Sequence, residues 1–310
     1  MNIKLSNLRK SLFLEFKKGN KKIAIEQLEK YNLINSKDIN ARLDLAYMYL
    51  NSNQLSKAIL QYKLILKLEE NITAMFNLAI CLSNKNEFKN SINILKKIIK
   101  KDKSHFKALR ALGDILLKIK NYNLAFKYLS KANKLETKDP ILLNSLGAVE
   151  MNRGKLKSAK IFFDQSIKLD QTNNNTLNNL AAFYQKIGQN EDSLKIYESL
   201  SYKFPNNSHL LNNKGNVLID LNRNQEAVKV LKRAIKLNPK KSYFYSNLGR
   251  SFFFLKNYKD AENAINTSLI LDPKNHEARL LFFYLLIINN KLKNAWKYFE
   301  SRLKVKNYFI

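Results

Sequence analysis

With 310 residues but only 7 glycines and 4 prolines, the chain lacks the turn formers that a sandwich or barrel of many short strands requires. Hydrophobic residues make up 45% and charged residues 26%, and the longest apolar run, Leu280 to Ile288, is half of the ~18 residues a membrane span needs. The net charge of +30 rests on 55 basic residues of which only 9 are arginine, so nucleic acid, whose recognition leans on arginine's bidentate fork, is not the expected partner. The abundance of lysine, asparagine and isoleucine is what the codon usage of an AT-rich genome produces. The opening residues interleave Lys4, Arg9, Lys10 and Glu15 with their apolar neighbours, unlike a secretory signal, and a cytoplasmic location is expected. The single cysteine, Cys81, excludes an internal disulfide; with three histidines it argues against a structural zinc site.

A period of 34 residues organises the chain. Gly113, Gly147, Gly215 and Gly249 stand 34 or 68 apart, and Gly19, Gly154 and Gly188 form a second lattice seven residues further along the same repeat. The tiling starts at Leu5 and gives repeats 5–38, 39–71, 72–105, 106–139, 140–173, 174–207, 208–241, 242–275 and 276–309, the second one residue short. With the first glycine lattice as position 8, position 20 is Ala or Ser in every repeat, from Ala24 to Ala295. Small residues at these two places allow two helices to cross closely. Positions 3, 7, 10, 11 and 14, for example Leu109, Leu112, Ile115, Leu116 and Ile119, fall on one arc of a first helix, and Leu156, Ala159, Phe163 and Ile167 continue on a second. Position 15, filled by Gly, Asn or Lys, suits the left-handed residue that ends a helix. Pro205, Pro239 and Pro273 recur at position 32, where they stop the second helix. The first repeat is eroded, with Ser11 and Glu15 at apolar positions, as in a polar cap.

Small residues at 8 and 20, an apolar or aromatic residue at 24 (Tyr62, Phe163, Tyr197, Leu231) and proline at 32 resemble the tetratricopeptide repeat over essentially the whole chain. The resemblance implies an all-α, right-handed superhelical solenoid of about nine helix-turn-helix units that binds other proteins and performs no catalysis. A lone helix pair leaves one side of each helix in water, so stacking of neighbours must supply the stability.

No catalytic motif is visible. His276-Glu277 lacks the second histidine of a zinc-protease helix, and no phosphate loop, dinucleotide fingerprint or nucleophile elbow occurs. Cys81, at an apolar position, reads as a buried small hydrophobe, and Lys67, Lys100 and Lys134, at position 29, complement the dipole of the second helix. Neither a metal nor a cofactor is expected.

In the resembling family, positions 2, 5, 6, 9 and 13 of the first helix line a concave groove. Position 6 carries Asn77, Asn179, Asn213 and Asn247, position 5 carries Asn144, Asn178 and Asn212, and Asn216 and Arg250 stand at position 9. An asparagine amide both donates and accepts, so such a ladder suits an extended peptide or protein segment held by its backbone. The ladder resembles that of the repeat arm of O-linked N-acetylglucosamine transferases, and Trp296, Glu300 and Arg302 resemble the closing repeat of bacterial repeat-bearing glycosyltransferases. The alternative function is therefore a substrate-recruiting arm whose catalytic domain lies on another chain. Near the C-terminal end Phe254, Leu281, Tyr284 and Ile288 place apolar residues on the groove face, an expected interface for a second copy, a catalytic subunit, or the Tyr308-Phe309-Ile310 tail folding back.

Overall fold

The computed structural model describes residues 2–304, with side chains described for 8–300. The described residues form helices and no strands. Two compact units divide the chain, Met1–Phe162 and Phe163–Ile310. The N-terminal unit contains α1 (Asn2–Lys17), α2 (Lys21–Ile34), α3 (Ile39–Asn51), α4 (Leu55–Leu68), α5 (Ile72–Asn84), α6 (Phe88–Lys101), α7 (Phe106–Lys118), α8 (Tyr122–Leu135) and α9 (Pro140–Asn152). Helix α10 (Leu156–Leu169) runs through the boundary. The C-terminal unit continues with α11 (Asn174–Lys186), α12 (Asn190–Lys203), α13 (Ser208–Asp220), α14 (Asn224–Leu237), α15 (Ser242–Phe254), α16 (Tyr258–Leu271), α17 (His276–Ile288), α18 (Leu292–Ala295) and a 3-10 segment, Trp296–Lys304. From α1 to α9 and from α11 to α17 each helix packs on the next along the chain, which is the arrangement of an all-α solenoid.

The turn inside each pair is set by one residue. Gly19, Gly154 and Gly188 have φ of 107°, 78° and 80°, and the equivalent Asn53, Asn86, Lys120, Asn222, Lys256 and Asn290 lie between 56° and 62°. Around Asn53 the Gln54 N–H donates to the Tyr49 carbonyl (2.8 Å) and the Asn53 N–H to that of Leu50 (3.1 Å), the paired bonds of a Schellman ending. The same pair closes α7, α9 and α13, so the turn is a property of the period. The next first helix is capped from the end of the preceding repeat: Asp38, Asn71, His105, Asp139, Asn173, Asn207 and Asn275 each accept a backbone N–H with their side chains.

Close crossing of the paired helices explains the small residues. A Cβ on Gly113 would stand 2.4 Å from Leu129 Cγ and 3.4 Å from the Ala125 carbonyl oxygen, and one on Gly249 would meet Ile265 at 2.7 Å. Ala58, Ala125, Ala227 and Ala261 are fully buried opposite them, and where the residue is Ser91 its hydroxyl donates to the Ala79 carbonyl at 2.6 Å. Large residues at position 24, including Tyr62, Phe163 and Tyr197, fill the centre of each pair. The last pair departs from this pattern. Its second half is a single α-turn followed by the 3-10 segment, whose three-residue period aligns Trp296 with Phe299 (ring centroids 4.9 Å) and leaves Trp296 66% exposed.

Candidate functional site

The first helices of the C-terminal unit bring the asparagines together by bonding them to one another. Asn213 Nδ2 donates to Asn178 Oδ1 at 3.3 Å, and Asn247 Nδ2 donates to Asn212 Oδ1 at 2.9 Å. Each bond joins position 5 of one repeat to position 6 of the next, and Asn212 Nδ2 approaches Asn213 Oδ1 at 3.5 Å within α13. Asn212 and Asn247 are buried. This corrects the expectation of an exposed amide ladder: successive first helices lie close enough that positions 5 and 6 face each other, and half of each amide's capacity goes to the neighbouring repeat. The Tyr197 hydroxyl joins the Asn213 side chain, and burial pushes that phenol up to about 12.

Beside the amides runs a charged chain at positions 9 to 13. The Arg250 guanidinium donates to Asn216 Oδ1 and lies 3.6 Å from the Asp220 carboxylate, which accepts from Gln185 Nε2 at 2.5 Å. Two amide nitrogens on this face, Asn178 Nδ2 and Asn216 Nδ2, have no partner among the described residues. Asn179 is half-buried on α11. At the other edge Tyr243 and His209, both at position 2, share a hydrogen bond of 2.7 Å, with Phe244 edgewise to both rings. The groove reading of the sequence missed this pair; the signal was an aromatic residue and a histidine 34 residues apart on one lattice point.

At the C-terminal end Phe254 and Ile288 are 40% and 42% exposed and Tyr284 is half-buried. Leu281 is 1% exposed, against expectation, because position 6 packs between helices here as it does at Asn247. Leu255 and Ile287 are exposed nearby and escaped the sequence reading. Arg302's side chain and the Tyr308-Phe309-Ile310 tail lie outside the described residues.

The N-terminal unit uses the same positions differently. Asn77 is half-buried and its amide bonds the Tyr62 hydroxyl, while Asn144 is buried on α9. Arg110 pairs with Asp139, the cap of α9, and Asp114 bonds Ser145. The second carboxylate oxygen of Asp114 is buried without a hydrogen-bond partner, and burial raises the acid to about 6, against the smaller lowering effects of Ser145 and Arg110. A carboxylate at position 9, one turn after Arg110, was the overlooked signal. Among the described residues no group of three or more His, Cys, Asp and Glu side chains could hold a metal ion, and no helix is long and apolar enough to cross a membrane. Cys81 is buried, and burial pushes its thiol up to about 11.

Two segments match family models: residues 73–105 match the tetratricopeptide repeat and residues 215–256 the TPR repeat. The chain contains tetratricopeptide repeats. Its repeats are similar in fold to a tetratricopeptide repeat protein from Parabacteroides merdae (TM-score 0.65, 11% identity, 80% of this chain and 98% of that one). The Cut9-Hcn1 hetero-tetramer of the APC/C shares the fold at TM-score 0.66 and 17% identity, covering 93% of this chain and 57% of that one. Yeast Tom70 does so at 0.58 and 16%, covering 88% and 59%. No curated protein matches the sequence. Tetratricopeptide repeats generally mediate protein–protein interaction and are generally non-catalytic.

Proposed function

We propose that this repeat protein is a non-catalytic scaffold that holds an extended segment of another protein along the first-helix face of its C-terminal unit. The observation that carries the reading is the half-spent amide network: Asn178 and Asn213, Asn212 and Asn247 bond across repeats, leaving the Asn178 and Asn216 amide N–H groups unmatched. Neutral donors held in place by neighbours are pre-organised for peptide carbonyls, whatever the side chains of the segment. Exposed Phe254 and Ile288, with half-buried Tyr284, offer an apolar seat at one end of that face, and the His209–Tyr243 pair offers a polar edge. A cytoplasmic location accords with this role.

A photo-crosslinking residue placed at Asn216 or Asn178, against one at Tyr202 on α12, which is 92% exposed, tests the assignment. The first-helix positions should capture a discrete protein that Tyr202 does not. Asn178→Asp with Asn216→Asp, which keeps the oxygen acceptors used by Asn213 and Arg250 and removes the two unmatched N–H donors, should then weaken binding of that protein at least tenfold while leaving the helix content in place. Equal capture at Tyr202, or unchanged binding by the double variant, would overturn the reading.

A further inference from the structure

A second surface lies on the second helices of the N-terminal unit. At 100° per residue, repeat positions 22, 25, 26 and 29 share one arc of the second helix, opposite the buried positions 20, 24 and 27. On α4 this arc carries Leu60, Lys63, Leu64 and Lys67. On α6 it carries Asn93, Lys96, Lys97 and Lys100, and on α8 Lys127, Ser130, Lys131 and Lys134. Eight of these twelve positions are lysine, all eight are exposed, and none is acidic. With 25 acidic and 55 basic residues in 310, composition alone would give twelve positions about one acid and about two basic residues, so the eight lysines are the departure. Acids do occur where the patch ends: the same arc of α2 holds Glu26 and Glu29. Glu69, Glu70, Asp102 and Glu136 sit beyond the C-terminal ends of the three helices, with Glu70 already engaged by Lys101.

Helix dipoles account for a lysine in the last turn, which explains Lys67, Lys100 and Lys134. They do not account for Lys63, Lys96 or Lys127, which sit one to two turns earlier. Because equivalent positions of consecutive repeats face the same way, the lysines form one surface three helices wide. We infer that this surface docks on an anionic lipid membrane. Lysine is the sole cation on the arc, and no aromatic residue stands on it, so the forks and stacking platforms that serve nucleic acid are missing. Leu60 on the arc and Leu68 and Leu135 at its edge are 54%, 46% and 48% exposed. Aliphatic side chains among lysines suit the boundary between headgroups and acyl chains, where ammonium groups meet lipid phosphates and the lysine stems lie along the apolar layer. This role belongs to a different face from the proposed peptide site and stands or falls separately.

The test is co-sedimentation of the full chain with phosphatidylcholine vesicles and with vesicles containing about 30% phosphatidylglycerol, at low and high salt. The protein should bind the anionic vesicles at least tenfold more tightly than the neutral ones and be released by salt. Lys96→Glu, Lys97→Glu and Lys100→Glu together should abolish that binding with unchanged helix content and melting temperature. A control variant with the same change of net charge, Lys240→Glu, Lys259→Glu and Lys274→Glu, should keep most of it. Equal binding to neutral vesicles, equal loss in the control variant, or tighter binding of a single-stranded RNA oligonucleotide than of anionic vesicles would each overturn the inference.

Discussion

The two units build one backbone plan and join their first helices by different chemistry. Where positions 5 and 6 meet between α13 and α15 the contact is neutral: amide meets amide, and both partners are buried. Around α7 and α9 it is ionic: Arg110 holds Asp139, while Asp114 is left with one bond to Ser145 and a buried oxygen without a partner. Neutral amides can be taken from water at small net cost once paired, whereas a carboxylate must be fully matched or hold on to its proton. The amide contact therefore brings no titrating group into the joint, whereas the Asp114 contact does.

The largest effect should come from what the units share. Ala227→Leu in the C-terminal unit and Ala125→Leu in the N-terminal one overpack equivalent helix crossings and should each cost ~3 kcal/mol or more. Hydrogen exchange should show lost protection in the substituted unit and its neighbours while the far repeats stay protected. Uniform loss along the chain would mean that the units are not independent.

Next comes the amide joint. Asn212→Ala leaves the buried Asn247 amide without its acceptor and should cost ~1–3 kcal/mol by chemical denaturation. Asn247→Ala should cost a similar amount, and a double-mutant cycle should show coupling of at least ~0.5 kcal/mol. Additive losses would dissolve the contrast with half-buried Asn178 and Asn216.

Asp114 sharpens the pH side of the comparison. Its folded value, about 6, lies above the ordinary 3.8, so the folded state holds this proton more tightly and stability falls as pH rises from about 4 to about 6. Asp114→Asn should flatten that stretch of the stability profile and add about 1–2 kcal/mol at neutral pH, allowing for the water that still reaches its rim. The variants of the amide joint should leave the pH slope unaltered.

The smallest effect concerns the turns. Lys120 and Lys256 hold the left-handed conformation that Gly19, Gly154 and Gly188 adopt without strain. Lys256→Gly should raise the melting temperature by an amount equivalent to ~0.5–1 kcal/mol, and Lys120→Gly should do the same in the other unit.

Period and composition alone were enough to read the helix pairs, because close crossing admits only small residues at positions 8 and 20 and a left-handed ending favours Gly or Asn at 15. Those are local demands, repeated at a fixed interval, and the sequence displays them at Gly113, Ala125 and Asn53 without reference to any neighbour. The lysine arcs on α4, α6 and α8 are legible in the same way. The fate of the asparagines was not. Whether Asn213 offers its amide to a ligand or to Asn178, and whether Leu281 is exposed or buried, depends on how closely consecutive first helices approach. That distance follows from side chains in two repeats at once, so only the tertiary structure decided which polar groups remain for a partner.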